Sequence, residues 1–194
     1  FEGHSEPLRA KLDLPDEGEP VGWGLFAHCF TCNKNLKAIG NISRSLTRRG
    51  YALFRFDFTG LGESEGDFAD TNFSSNIQDL IAATEYLKRE YQAPELLIGH
   101  SLGGAMACRY VATGAEVEGL LLYASYCDVD ISERDLAVVS VTGDADTVLN
   151  RTAYDRNREQ LPASARIAEL SGVDHTQFGS YSRQDAPSAT SYET

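Results

Sequence analysis

Apolar runs alternate with helical patterns along the whole chain. Residues 21–28 form a short apolar stretch of strand type. Residues 35–49 carry Leu36, Ile39, Ile42 and Leu46 at helical spacing, and Gly50 follows as a stop. A strand is expected over 51–58, where Leu53, Phe54 and Phe56 are interleaved with Arg55 and Asp57. The stretch 59–70, rich in Gly, Ser and acids, reads as a loop. Residues 74–91 place Ile77, Leu80, Ile81, Ala83, Tyr86 and Leu87 on one side of a helix, with Pro94 as its breaker and a short buried strand over 95–100. A turn leads to a helix over 102–113, ended by Gly114. Strands follow at 119–124 and 137–142, a helix at 149–161 up to Pro162, and a last strand at 166–170. Residues 8–14 suit an outer antiparallel strand.

Strands alternating with helices at this spacing predict an α/β fold, with a mostly parallel central sheet and helices on both faces. Neither a repeat nor a linker divides the chain. Residues 1–180 are expected to form a single domain and 181–194 a polar C-terminal tail.

One segment carries a reaction signature. Gly99-His100-Ser101-Leu102-Gly103 is a G-x-S-x-G placed directly after a buried strand and directly before a helix. That context is what a nucleophile elbow requires, because a sharp turn lifts the Ser hydroxyl above the strand ends. The alternative is a structural glycine turn with a capping serine. A serine nucleophile needs a base. His175 lies after the last strand, and it alone fits the chain order Ser, acid, His. His28, at the end of an early strand, is the rival. The acid should follow a strand between the two, where Asp146 and Asp144 both stand. Asp146 is favoured because it lies further along the loop. Asp144 is read as a turn residue bonded to its own backbone, and Asp128 and Asp130 are weaker choices. Two backbone donors for the oxyanion are expected at Leu102 and Phe30.

The motifs G-H-S-L-G-G, G-D-A-D and D-H-T-Q-F, in this order, resemble the α/β-hydrolase superfamily over nearly the whole chain. Residues 26–32 and 55–64 look like the hydrolase domain found fused to OsmC-type domains. Residues 123–126 and 175–181 look more like compact, cap-less hydrolases near the dienelactone hydrolases. The resemblance implies Ser101, Asp146 and His175 as a triad and Phe30 and Leu102 as oxyanion donors, in a minimal α/β-hydrolase fold without a cap. Only 125–135 separates two core strands, too short for a helical cap, so an open, shallow site is expected. The expected activity is that of a serine carboxylesterase for small or accessible acyl esters. A thioesterase or dienelactone-type hydrolase is the second reading, and a redox or binding module using Cys29 and Cys32 the third.

A formal charge of −12 argues against nucleic acid and anionic membranes as partners. A small ester substrate remains as the expected partner, with a homodimer left open. No cofactor and no metal are expected. Cys108 and Cys127 read as buried small hydrophobes. Cys29 and Cys32 form a C-x-x-C without the second Cys/His pair of a structural zinc site, and read as two small thiols in a loop. Few cysteines favour a cytoplasmic location. The chain begins at Phe1 without a Met or a signal-like apolar region, which reads as trimming or removal of a leader.

Overall fold

A computed structural model describes residues 1–179 of the chain, so the tail expected over 181–194 lies outside the described residues. The elements run β1 (Ala10–Asp13), β2 (Gly22–Ala27), α1 (Lys37–Thr47), β3 (Tyr51–Phe56), α2 (Phe73–Glu90), β4 (Leu96–His100), α3 (Leu102–Ala112), β5 (Gly119–Tyr123), β6 (Ala137–Gly143), α4 (Arg151–Arg156), β7 (Arg166–Leu170) and α5 (His175–Gly179). Short 3-10 turns lie at Phe68–Asp70 and Asn157–Gln160. One sheet holds the strands in the order β1-β3-β2-β4-β5-β6-β7. β1 is antiparallel to β3 and every other pair is parallel. The alternation of elements predicted this architecture, the outer antiparallel strand included.

The pleat explains why the inner strands are apolar throughout. Leu25, Phe54 and Leu97 face one side, where Leu80 and Leu87 of α2 and Met106 and Val111 of α3 cover them. Their chain neighbours Phe26, Leu53 and Ile98 face the other side, against Ile39 of α1. Alternate residues of a strand must face opposite ways, so a strand covered on both faces has no place for a polar stripe. The chain leaves β2 to build β3 on one side and then sets β4 on the other. The crevice beyond the carboxyl ends of β2 and β4 is therefore a topological switch point, where α/β sheets hold their ligands.

Element ends have identifiable causes. Asn72 caps α2, accepting from the Ser74 and Ser75 N–H groups while its own N–H donates to Ser75 Oγ. The helix expected over 149–161 is shorter, because the Val148 and Leu149 N–H groups donate to the Asp146 carboxylate and the helix starts only at Arg151. Residues 125–135 contain turns and no helix, so nothing of cap length lies between β5 and β6.

The cysteines correct an expectation. Cys108 of α3 and Cys127, just past β5, form a disulfide with Cα atoms 5.4 Å apart, rather than standing as separate small hydrophobes. Cys29 and Cys32 are also joined, rather than free thiols. With all four paired, a low cysteine count no longer speaks for a reducing compartment. Among the described residues, no helix is long and apolar enough to cross a membrane.

Candidate active site

β4 ends at His100 and α3 begins at Leu102, which leaves Ser101 alone to make the turn. Its backbone stands at φ 53° and ψ −121°, a region that L-residues rarely occupy. Two hydrogen bonds hold it there. Ser101 N–H donates to the Tyr123 carbonyl at 2.9 Å, and Ser125 Oγ donates to the Ser101 carbonyl at 2.7 Å. The flanking glycines are required by close approach. A Cβ on Gly99 would meet the Gly104 backbone, and one on Gly103 would meet the Ala27 and His28 carbonyls.

The imidazole of His175 bridges two groups. Its Nε2 lies 3.1 Å from Ser101 Oγ, and its Nδ1 lies 2.8 Å from Asp146 Oδ2. All three residues are buried. Asp146 Oδ1 accepts from the Val148 and Leu149 N–H groups, both at 2.9 Å. Burial pushes the Asp146 carboxyl up, but the His175 hydrogen bond and these backbone donors outweigh it and hold the group below the usual carboxylate value.

Asp144 faces elsewhere. Its carboxylate accepts from Gly172 N–H at 2.7 Å and Ser171 Oγ at 3.0 Å, so it serves the β7 turn rather than its own backbone. His175, expected after the last strand, opens the short helix α5. Asp174 accepts from the Thr176 and Gln177 N–H groups, and Asp174 N–H donates to Gln177 Oε1 at 2.7 Å. This is a capping box, and its signal, Asp174 with Gln177 three residues on, is visible in the sequence.

The remaining candidates are otherwise engaged. His28 Nδ1 lies 2.7 Å from the Cys29 carbonyl and its Nε2 3.5 Å from Asp57. Burial, with His175 and His28 nearby, pushes the His100 imidazole down to about 3 and keeps it neutral. Asp128 pairs with Arg109 at 2.6 Å, and Asp130 accepts from Ser132 N–H at 2.9 Å. Phe30 lies in the loop after β2, its ring edge-on to Phe68 with centroids 4.6 Å apart. Leu102 is the first residue of α3. A cavity of about 80 Å³ opens on Ser101 and His175, lined by Phe73, Ala105, Tyr126 and Leu149. Phe73 carries no motif that marks it in the sequence, whereas Tyr126 closes the 123–126 segment that resembles cap-less hydrolases.

A buried ion network lies under the β2 loop. Asp57 Oδ1 accepts from Lys34 N–H at 2.5 Å, and its Oδ2 from Lys34 Nζ at 2.6 Å and Glu63 N–H at 3.0 Å. Arg55 pairs with Asp13 at 2.6 Å and also donates to the Lys34 carbonyl. Burial alone would raise the Asp57 carboxyl. The His28 ring 3.5 Å away, and hydrogen bonds from the Lys34 side chain and from the Glu63 and Lys34 N–H groups, prevail and hold it at about 2. The network thus ties the loop carrying Phe30 to the loop after β3.

Known proteins match on both fold and sequence. The family model "Alpha/beta hydrolase family" matches residues 77–193. The structure resembles the esterase domain from a Rhodothermus marinus protein with TM-score 0.73 and 31% identity, over 96% of this chain and 91% of that one. Its fold also matches XC6422 from Xanthomonas campestris, described as a serine hydrolase without lid, with TM-score 0.77 and 24% identity over 92% and 84% of the two chains. The rat palmitoyl-protein thioesterase ABHD10, mitochondrial, is 29% identical over 105 residues, which are 54% of this chain and 34% of that protein. Against three curated relatives, the chain spans 50%, 34% and 40% of their length. With a buried Ser–His–Asp line at the switch point and a family match over more than half its length, this chain belongs to the α/β-hydrolase family.

Proposed function

We propose that this chain is a serine hydrolase that cleaves carboxylic esters with small acyl groups through an acyl-enzyme on Ser101. The observation that carries this reading is the line from Ser101 Oγ through His175 to Asp146, with separations of 3.1 and 2.8 Å. As Ser101 Oγ bonds to the ester carbonyl carbon, its proton passes to His175 Nε2. Asp146 holds the proton on Nδ1 and stays anionic beside the imidazolium, in keeping with its depressed pKa. The oxyanion is received by the Phe30 and Leu102 N–H groups, the second of them in the first turn of α3, where unpaired N–H groups point outward. The imidazolium then protonates the leaving alcohol. Water, activated by the same histidine, releases the acid and restores Ser101.

The likeness to the Rhodothermus marinus esterase domain supports an ester substrate. A thioesterase or dienelactone-type activity would use the same residues, and the ABHD10 relatives speak for thioesters. The cavity argues for a small acyl group in either case. At about 80 Å³ it falls well below the roughly 300–1,000 Å³ of pockets that enclose drug-sized ligands. Residues 26–32 and 55–64 also support kinship with hydrolase domains fused to OsmC-type domains. The test is labelling with a fluorophosphonate, followed by peptide mapping, together with the burst on p-nitrophenyl acetate. We expect one adduct, on Ser101, and a burst of one product per chain. An adduct elsewhere with Ser101 unmodified would refute the assignment.

A further inference from the structure

The β2 loop holds a second set of reactive side chains that ester hydrolysis does not use. Cys29 and Cys32 face each other across a turn closed by Cys32 N–H donating to the Cys29 carbonyl at 3.2 Å, with Cα atoms 5.1 Å apart. His100, the last residue of β4, stands beside them. The two sulfurs and a ring nitrogen of His100 all lie within 4.8 Å of one another, and all three residues are buried. β2 and β4 are adjacent and paired in register, Ala27 against Gly99, so the sheet itself holds the third group against the turn.

From this convergence we infer that, once the disulfide is reduced, Cys29, Cys32 and His100 bind one thiophilic divalent cation of the Zn²⁺ class.

Zn²⁺ takes thiolate and imidazole ligands, and three protein ligands with a solvent molecule in the fourth position are an established arrangement. Charge favours a divalent ion here. Two thiolates carry −2, so a divalent cation leaves the buried site neutral, whereas a monovalent soft cation would leave an uncompensated negative charge. The turn already sets the two sulfurs side by side, so little ordering remains to be done on binding. Opening the site requires a two-electron reductant, such as a dithiol. The dithiol gives two electrons and two protons to the Cys29–Cys32 bond and becomes a disulfide itself. The two thiols then lose their protons to solvent as two sulfur–metal bonds form. A cation so held would clamp Phe30 between its two sulfur ligands, beside the His100 ring, whose centroid lies 5.5 Å from that of His175.

The experiment uses the full chain, reduced with a phosphine under argon and freed of it, then titrated with Cd²⁺ while the ultraviolet thiolate-to-cadmium charge-transfer band is followed. Zn²⁺ is then added as competitor. We expect saturation at one equivalent. X-ray absorption of the Zn²⁺-loaded chain should show two sulfur neighbours at about 2.3 Å and nitrogen at about 2.0 Å. Cys29→Ser/Cys32→Ser should weaken binding by roughly 100-fold or more, and His100→Gln by about 10-fold or more. If His100→Gln does not fold, as judged by circular dichroism, the nitrogen shell of the unmodified chain decides the third ligand. Absence of binding by a folded, reduced chain would overturn the site. So would binding that survives the double serine variant, or a metal shell with four sulfurs or without nitrogen.

Discussion

Gly172 N–H donates to the Asp144 carboxylate at 2.7 Å, across the gap between the loops that follow β6 and β7. A second tie, Ala145 N–H to the Val173 carbonyl at 3.2 Å, runs beside it. Two aspartates two positions apart thus divide the work, Asp146 on the imidazole and Asp144 on the turn leading to it. Asp146→Asn should lower kcat/KM on p-nitrophenyl acetate by roughly 10³–10⁴-fold, because the amide cannot hold the Nδ1–H tautomer. Asp144→Asn should cost less than about 10-fold, acting only through a slacker turn. The reverse ranking would move the acid's role to Asp144.

Ser101 stands in a backbone region that favours glycine. Ser101→Gly should therefore be more stable than Ser101→Ala by about 1 kcal/mol, while both lose esterase activity by several orders of magnitude. Denaturant midpoints of the two variants, measured side by side, decide the point. Equal midpoints would mean that the turn relaxes once the hydroxyl is gone.

Asp57 provides a pH dependence whose sign follows from its carboxyl pKa, held at about 2 in the fold against an ordinary value of 3.8. A depressed carboxylate pKa stabilises the folded state fully above the unfolded value. That stabilisation is lost as pH falls from 3.8 toward 2. Asp57→Asn should lower Tm near neutrality, corresponding to a loss on the order of 2 kcal/mol. The gap between wild type and variant should narrow as pH approaches 2. A gap constant from neutrality into acid would show that the ionised form is not what stabilises.

Acyl preference should level off early. The cavity beside Ser101 holds about 80 Å³, and chain beyond it would lie on the surface without the gain of roughly 0.8 kcal/mol per buried CH₂. kcat/KM for p-nitrophenyl esters should then stop rising after the first few carbons, with no jump when the substrate passes its solubility limit. A steep climb toward long chains would mean that Phe73 or Tyr126 swings aside to open a deeper groove.

Local signals made much of this legible from sequence. The G-x-S-x-G lies between one strand and one helix, so its turn is encoded within a few residues, and chain order singles out His175. Long-range pairings are different in kind. Cys108 meets Cys127 only because α3 packs beside β5, and four cysteines allow three pairings with nothing local to choose among them. Lys34 and Asp57 are likewise brought together by the parallel pairing of β2 with β3, which sets the loop after one strand against the end of the other. Arg55 and Asp57 do interrupt an apolar run, and charges in a buried strand signal partners without naming them. The Asp174–Gln177 box is a local signal, and it marks the helix start that places His175 on α5.

The position of His175 beyond the last strand also bears on when the hydrolase can act. Ser101 and Asp146 are translated first, and their imidazole follows β7, the strand that pairs with β6 at the sheet edge. A ribosome-bound nascent chain that stops short of this strand would carry a shaped serine turn without a base. Acyl transfer as proposed for Ser101 would then wait until the chain through His175 has been made, so that a product stalled before β7 would be silent toward the esters around it.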